Sequence, residues 1–294
     1  FLATAVAFGP ARMGFGLFLP PFRDAFALDT ATAGVIASGG FLAFLLALLA
    51  SAWIGRRFGE RACVTTGALA AAGGFALAAA APETGVLAAG VALAGASAGL
   101  CWAPFNDAAE RAIPEDRRAG ALSVVSTGTT LGVVAAAGLA YAVAEGALPW
   151  RTAWAAFAVS GLALALAARA GLPSSRGPKP VREAVSVIVE VGLPSQITPD
   201  PTPKIRAAEA RLTRRAAVPL YLAAFVFGLT NAIFLSFAAD RVVAAGGLPG
   251  LPDRDAPVAI FLAYGGFGLL GLGAGRVEAR IGLAPLLFAI NLAG

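Results

Sequence analysis

Long apolar stretches alternate with short polar breaks along the whole chain. Nine stretches stand out, at residues 1–19, 33–54, 62–81, 85–105, 119–144, 152–170, 217–239, 256–274 and 283–294. A helix needs about 20 apolar residues to cross the hydrocarbon core of a bilayer, and the first eight are close to that length. A membrane β-barrel would instead show segments of about ten residues with alternating polarity. Phe41–Ala50 (FLAFLLALLA) is apolar on every side, so the stretches read as helices. The expected fold is an all-α polytopic membrane protein. The first stretch opens at Phe1 without an initiator Met, and the last stops at Gly294 after 12 residues. The chain is therefore expected to be a piece of a longer protein, cut at both ends.

Composition narrows the function classes. Hydrophobic residues make up 58% of the chain and charged residues 13%, with a mean hydropathy of +0.78. Soluble domains carry about 25% charged residues, and a chain with half that charge cannot cover a globular surface. A soluble enzyme or a nucleic-acid binder is excluded, even at a sequence pI near 9.9. The chain has no His, which removes HExxH zinc sites and His proton relays, and it has no ATP-binding P-loop. Gly95–Gly99 (GASAG) matches a nucleophile elbow by letter only, since it lies in mid-span with no His to serve as base. Cys63 and Cys101 read as small apolar residues. No cofactor and no metal is expected.

The scarce charge sets the topology. Of 22 Lys and Arg residues, 17 fall after stretches 2, 4, 6 and 8, and four (Arg23, Arg151, Arg241, Arg254) fall on the opposite side. Basic loops stay in the cytoplasm, which predicts a cytoplasmic N-terminus in a multi-pass protein of the cytoplasmic (bacterial inner) membrane. Residues 171–216 are polar and Pro-rich and read as a cytoplasmic linker, within which Lys204–Arg215 has the composition of a basic surface helix. The expected domains are a six-helix bundle at 1–170, this linker, and the first three helices of a second bundle at 217–294.

A repeat spans the linker. At an offset of 219, Phe8, Gly9, Phe15 and Phe18 align with Phe227, Gly228, Phe234 and Phe237, and Arg12 falls on Asn231. Gly39-Gly40-Phe41 echoes Gly265-Gly266-Phe267, and Arg57-Phe58-Gly59 echoes Arg280-Ile281-Gly282. This layout resembles a major facilitator superfamily transporter. Ala52–Arg61 (AWIGRRFGER) is similar to that family's signature loop through Arg57, Gly59 and Arg61. Ala52, Arg56 and Glu60 depart from the usual Gly, Asp and basic residue, and the family's Arg in the first half of span 4 is missing. The resemblance implies a six-plus-six helix bundle with about nine spans present. It also implies secondary transport of a small molecule by alternating access. Arg56, Arg57, Gly59, Arg61 and Asp107 are then gating candidates, with Arg56 unable to supply the usual acidic latch.

Arg12 is the sharpest candidate. An ionised side chain near mid-span costs about 2.5–3.5 kcal/mol on insertion scales, so it should face a cavity. There its planar fork would hold a carboxylate or phosphate. Pro10 with Gly9, Gly14 and Gly16 should bend span 1. Asn231 and Thr230 on span 7, Trp102 and Asn106 four apart on span 4, and Tyr264 on span 8 complete the predicted substrate site. Gly95/Gly99, Gly128/Gly132 and Gly271/Gly275 have the spacing of helix contacts. The expected partners are a small anionic or amphipathic solute, a proton as candidate coupling ion, and the lipid bilayer. The protein is expected to be a monomer without nucleic acid. A polytopic membrane enzyme, and a non-transporting sensor or assembly protein on the same fold, are the alternatives.

Overall fold

The computed structural model describes residues 1–112, 115–172, 218–253 and 255–266. All regular structure among them is helical. The helices are α1 (Leu2–Phe8), α2 (Pro10–Leu17), α3 (Leu19–Phe26), α4 (Thr30–Phe58), α5 (Glu60–Ala79), α6 (Thr84–Ala112), α7 (Glu115–Ala144), α8 (Trp150–Gly171), α9 (Val218–Ala244) and α10 (Ala256–Gly266). Five of these helices contain stretches long and apolar enough to cross a membrane, and six spans result when the bent α1–α3 segment counts as one. Most of the linker, span 9, Arg276, Arg280 and the Gly271/Gly275 pair lie outside the described residues, as do the side chains of Asn106 and Asp107.

The first span is broken twice, and each break has a proline behind it. Pro10 carries no N–H, so the chain turns at Gly9 (φ −77°, ψ −102°). Pro20 and Pro21 likewise remove donors that Gly16 and Leu17 would need. The helix stops at Phe18 (φ −97°, ψ 12°) and restarts bent by 51°. The first break was legible from Pro10; the second was not read from the sequence. Ala27 closes α3 in the left-handed region (φ 51°). Asp29 then caps α4 by accepting from the Thr32 backbone N–H at 2.7 Å. Hydrogen bonds from Thr32 hold the Asp29 carboxyl below the usual carboxylate range, with the charge of Arg23 adding to the effect.

The chain divides into two units, Phe1–Arg176 with Ser236–Gly294, and Gly177–Leu235. In the first unit α6 packs along α4 and α5, and α5 also packs along α8. Small residues permit these approaches. A Cβ on Gly95 would lie 2.6 Å from the Gly40 carbonyl oxygen, and one on Gly90 would lie 2.7 Å from the Ala78 nitrogen. Between α1 and α7 the backbones touch: a Cβ on Gly9 would meet the Gly132 carbonyl carbon at 2.5 Å. The Gly95/Gly99 and Gly128/Gly132 pairs are thus helix contacts, and Ser97 between the first two donates to its own helix at Ala94 O, 2.6 Å away.

An aromatic hub joins α3, α5 and α8. Trp154 is 1% exposed and has the rings of Phe22, Phe75, Phe18 and Phe157 within 5.3–6.1 Å of its own. The neighbouring Arg151 has a separate task. Its guanidinium donates to the carbonyls of Ala79 and Ala81, both at 2.8 Å, and stacks 4.5 Å from the Trp150 ring centre. These carbonyls end α5 without helical donors, so Arg151 caps it from another helix. Arg151→Ala is expected to cost about 1–2 kcal/mol, seen as a lower melting temperature in detergent, and Arg151→Lys to recover less than half of it. A Lys variant as stable as the wild type would show that the two-pronged geometry is irrelevant.

Candidate functional site

Arg12 lies in α2, two residues beyond Pro10. The chain surrounds its guanidinium with rings. Its Cζ is 5.0 Å from the Phe44 ring centre and 5.7 Å from those of Phe8 and Phe41. Phe8 comes from the preceding turn, while Phe41 and Phe44 share one face of α4, three residues apart. Each cation–ring contact contributes about 0.5–1 kcal/mol when exposed and about 2 when desolvated. Three of them offset much of the cost of a charge at this depth. Among the described residues, no carboxylate forms an ion pair with Arg12.

One further predicted residue, Trp102, packs on this cage, and another, Tyr264, interacts with its charge. Tyr264 of α10 lies close enough to interact electrostatically with Arg12. Trp102 of α6 packs edge-on against Phe8, with ring centres 4.8 Å apart. Phe8 thus contacts both Arg12 and Trp102. Thr230 and Asn231 belong to the second unit, where the Thr230 hydroxyl donates back to the Val226 carbonyl at 2.9 Å. The Phe8, Phe41 and Phe44 cage was missed from the sequence. Its only signal was the i, i+4 spacing of Phe8 and Arg12, because 19 Phe residues make any single one uninformative.

The signature-like loop sits where α4 turns into α5. Gly59 adopts φ 86°, a conformation that side chains with a Cβ rarely take, which explains Gly at this position. Arg56 and Arg57 occupy the last turn of α4, where positive charge meets the negative end of the helix dipole. Arg61 and Gly59 line a cleft of about 790 Å³ together with Phe58, Ala62, Thr65, Thr66 and Arg169. The side chain of Asp107 lies outside the described residues.

Among the described residues, apolar spans packed through glycines, with the first span broken and Arg12 caged within it, define a polytopic helical membrane protein. The sequence profile of the Major Facilitator Superfamily matches residues 1–294, and the chain belongs to that family. No curated protein sequence matches it. Among solved structures it is similar to the xylose transporter XylE from E. coli, in a partially occluded inward-open conformation. The TM-score is 0.66 at 13% identity, covering 97% of this chain and 72% of that one. It is also similar to a D-xylose–proton symporter, with a TM-score of 0.59 at 13% identity, covering 95% of this chain and 66% of that one. Identity this low conveys the fold alone, and the chain spans about two thirds to three quarters of these neighbours.

Proposed function

We propose that the protein is a secondary active transporter that moves a small anionic or amphipathic organic solute across the cytoplasmic membrane by alternating access. Arg12 carries this reading. The rings lower the cost of its charge without neutralising it, so the planar donor fork can still engage a carboxylate. Phenyl rings around the cation suit a solute with an apolar body. Trp102 packs on Phe8 of the cage, and Tyr264, Asn106, Thr230 and Asn231 would contribute from spans 8, 4 and 7. Arg56, Arg57, Gly59, Arg61 and Asp107 would control opening on the cytoplasmic side. The N-terminus would be cytoplasmic, as the arginine asymmetry requires.

The coupling ion is a separate matter. One solved neighbour is named as a proton symporter. In this chain Asp24, Glu145 and Asp240 lie at span ends or beside loops rather than at mid-depth. The deciding experiment is uptake of radiolabelled carboxylates into proteoliposomes, with xylose as the neutral comparison, with and without an inward proton gradient. Saturable carboxylate uptake supports the reading, and uptake of xylose alone overturns the anionic assignment. Carboxylate uptake that ignores the gradient removes the proton and leaves exchange or uniport.

A further inference from the structure

Arg23 stands in the last turn of α3, and Asp240 stands 217 residues later, near the end of α9. The two are paired twice. Arg23 Nε lies 2.5 Å from Asp240 Oδ1, and Arg23 Nη2 donates to Asp240 Oδ2 at 3.0 Å. The guanidinium is also held by its own hairpin. Nη1 donates to the Leu28 carbonyl at 2.7 Å, and Nη2 lies 3.1 Å from Thr30 Oγ1. An arginine ordered in this way loses little side-chain entropy on pairing, which separates it from an ordinary surface ion pair. Both side chains are largely covered, at 22% and 18% exposure. One turn deeper on α9, Phe237 packs over Gly34 of α4, whose added Cβ would lie 3.8 Å from the ring. Span 7 is therefore fastened to spans 1 and 2 by a charge pair with an apolar contact beneath it. This fastening sits at the end of the bundle opposite Arg56, Arg57 and Arg61.

We infer that Arg23 and Asp240 form the outer latch of the transport cycle, closed while the pathway is shut on this side and broken when it opens there. The inference rests on the transporter reading. Spans 1 and 7 head the two repeated halves, and rocking one half against the other separates their ends on one side at a time. A pair that joins those ends across the repeat must break in one of the two states. Charge-assisted pairing also gives the latch a strength that solvation of the opened ends can match, whereas an all-apolar seam would resist opening.

The test needs no substrate. Cys63 and Cys101 are 0% and 2% exposed, so the chain has little background reactivity towards a thiol reagent. Gly34→Cys, placed beneath the latch where a Cβ makes only ordinary contact with Phe237, is labelled in right-side-out membrane vesicles with a membrane-impermeant maleimide. Labelling is expected to be slow in this variant. Adding Asp240→Asn should raise it by about tenfold, the population shift that corresponds to about 1.4 kcal/mol. Adding Asp240→Glu, which keeps the charge, should leave labelling near the starting rate. Arg23→Gln should repeat the effect of Asp240→Asn from the other partner. Unchanged labelling in both charge-removing variants overturns the latch. So does a Glu variant that opens as far as the Asn variant, because packing rather than charge would then hold the seam. If labelling follows the charge but no solute crosses in the uptake assay, the ion-pair switch stands and the transport reading falls.

Discussion

Arg12→Ala is expected to express near the wild-type level and to lose carboxylate uptake. The two halves of this expectation have different causes. Removing a mid-span charge removes its insertion cost of about 2.5–3.5 kcal/mol together with the ring contacts that offset it, so folding changes little. Phe8, Phe41 and Phe44 can close over an alanine without leaving a polar orphan. Transport has no such compensation. A buried charge-assisted pair lost on one side costs about 2–5 kcal/mol, which places the fall in kcat/KM between about thirtyfold and several thousandfold. Arg12→Lys keeps the charge but not the fork, so it should retain some uptake with a raised KM. Phe44→Leu tests the cage itself through its shortest cation–ring contact. Wild-type kinetics in the Arg12→Ala protein would end the substrate-facing role.

The largest loss of stability is expected at Gly132. A Cβ there would overlap the Ala5 carbonyl oxygen and lie 2.7 Å from the Ala5 carbonyl carbon. Backbone atoms on a packed helix cannot rotate away as a side chain could. Gly132→Ala must push α1 off α7, at a cost in the overpacking range of about 1–3 kcal/mol or more. Gly132→Leu should prevent assembly, with the protein recovered aggregated or degraded. Gly138 is the control on the same helix. It has nothing within 4 Å of a built Cβ, and Ala there should be neutral or stabilising by up to about 1 kcal/mol. Melting curves in detergent compare the two. Equal melting temperatures for Gly132→Ala and Gly138→Ala would show that the close approach carries no energy.

Much of this architecture is legible because membrane helices announce themselves by apolar length. Span 2 reads as 33–54 and is found within Thr30–Phe58; span 6 reads as 152–170 and is found within Trp150–Gly171. Errors gather at the ends, where helices run on past the apolar core. Span 4 reads as ending at 105, yet α6 continues to Ala112. Polar residues there satisfy their backbone within the helix whether or not lipid surrounds them, so hydropathy cannot mark the terminus. The site is less legible. A lone Arg12 in an apolar stretch is conspicuous because its cost is local. The rings that surround it are not, since their value depends on how α2 meets α4. The Arg23–Asp240 pair is invisible for a related reason: both residues sit at span ends, where charge is ordinary, and no periodicity connects positions 217 residues apart.

The backbone contact at Gly9 and Gly132 also has a mechanical consequence. Because α1 cannot slide on α7, and Phe22 of α3 is packed on Trp154 of α8, span 1 moves only as its bundle moves, and its length from Gly9 outward acts as a lever. Arg23 lies 14 residues further on, about 20 Å away at 1.5 Å per residue once the bend at Phe18 is allowed for. A rotation of the bundle by about 10° about Gly9 would carry the Arg23 end through about 3 Å, enough to take a charge pair out of hydrogen-bonding range. A fixed backbone contact inside the membrane and a braced outer end would together convert a small rotation of the bundle into an all-or-none event at its surface.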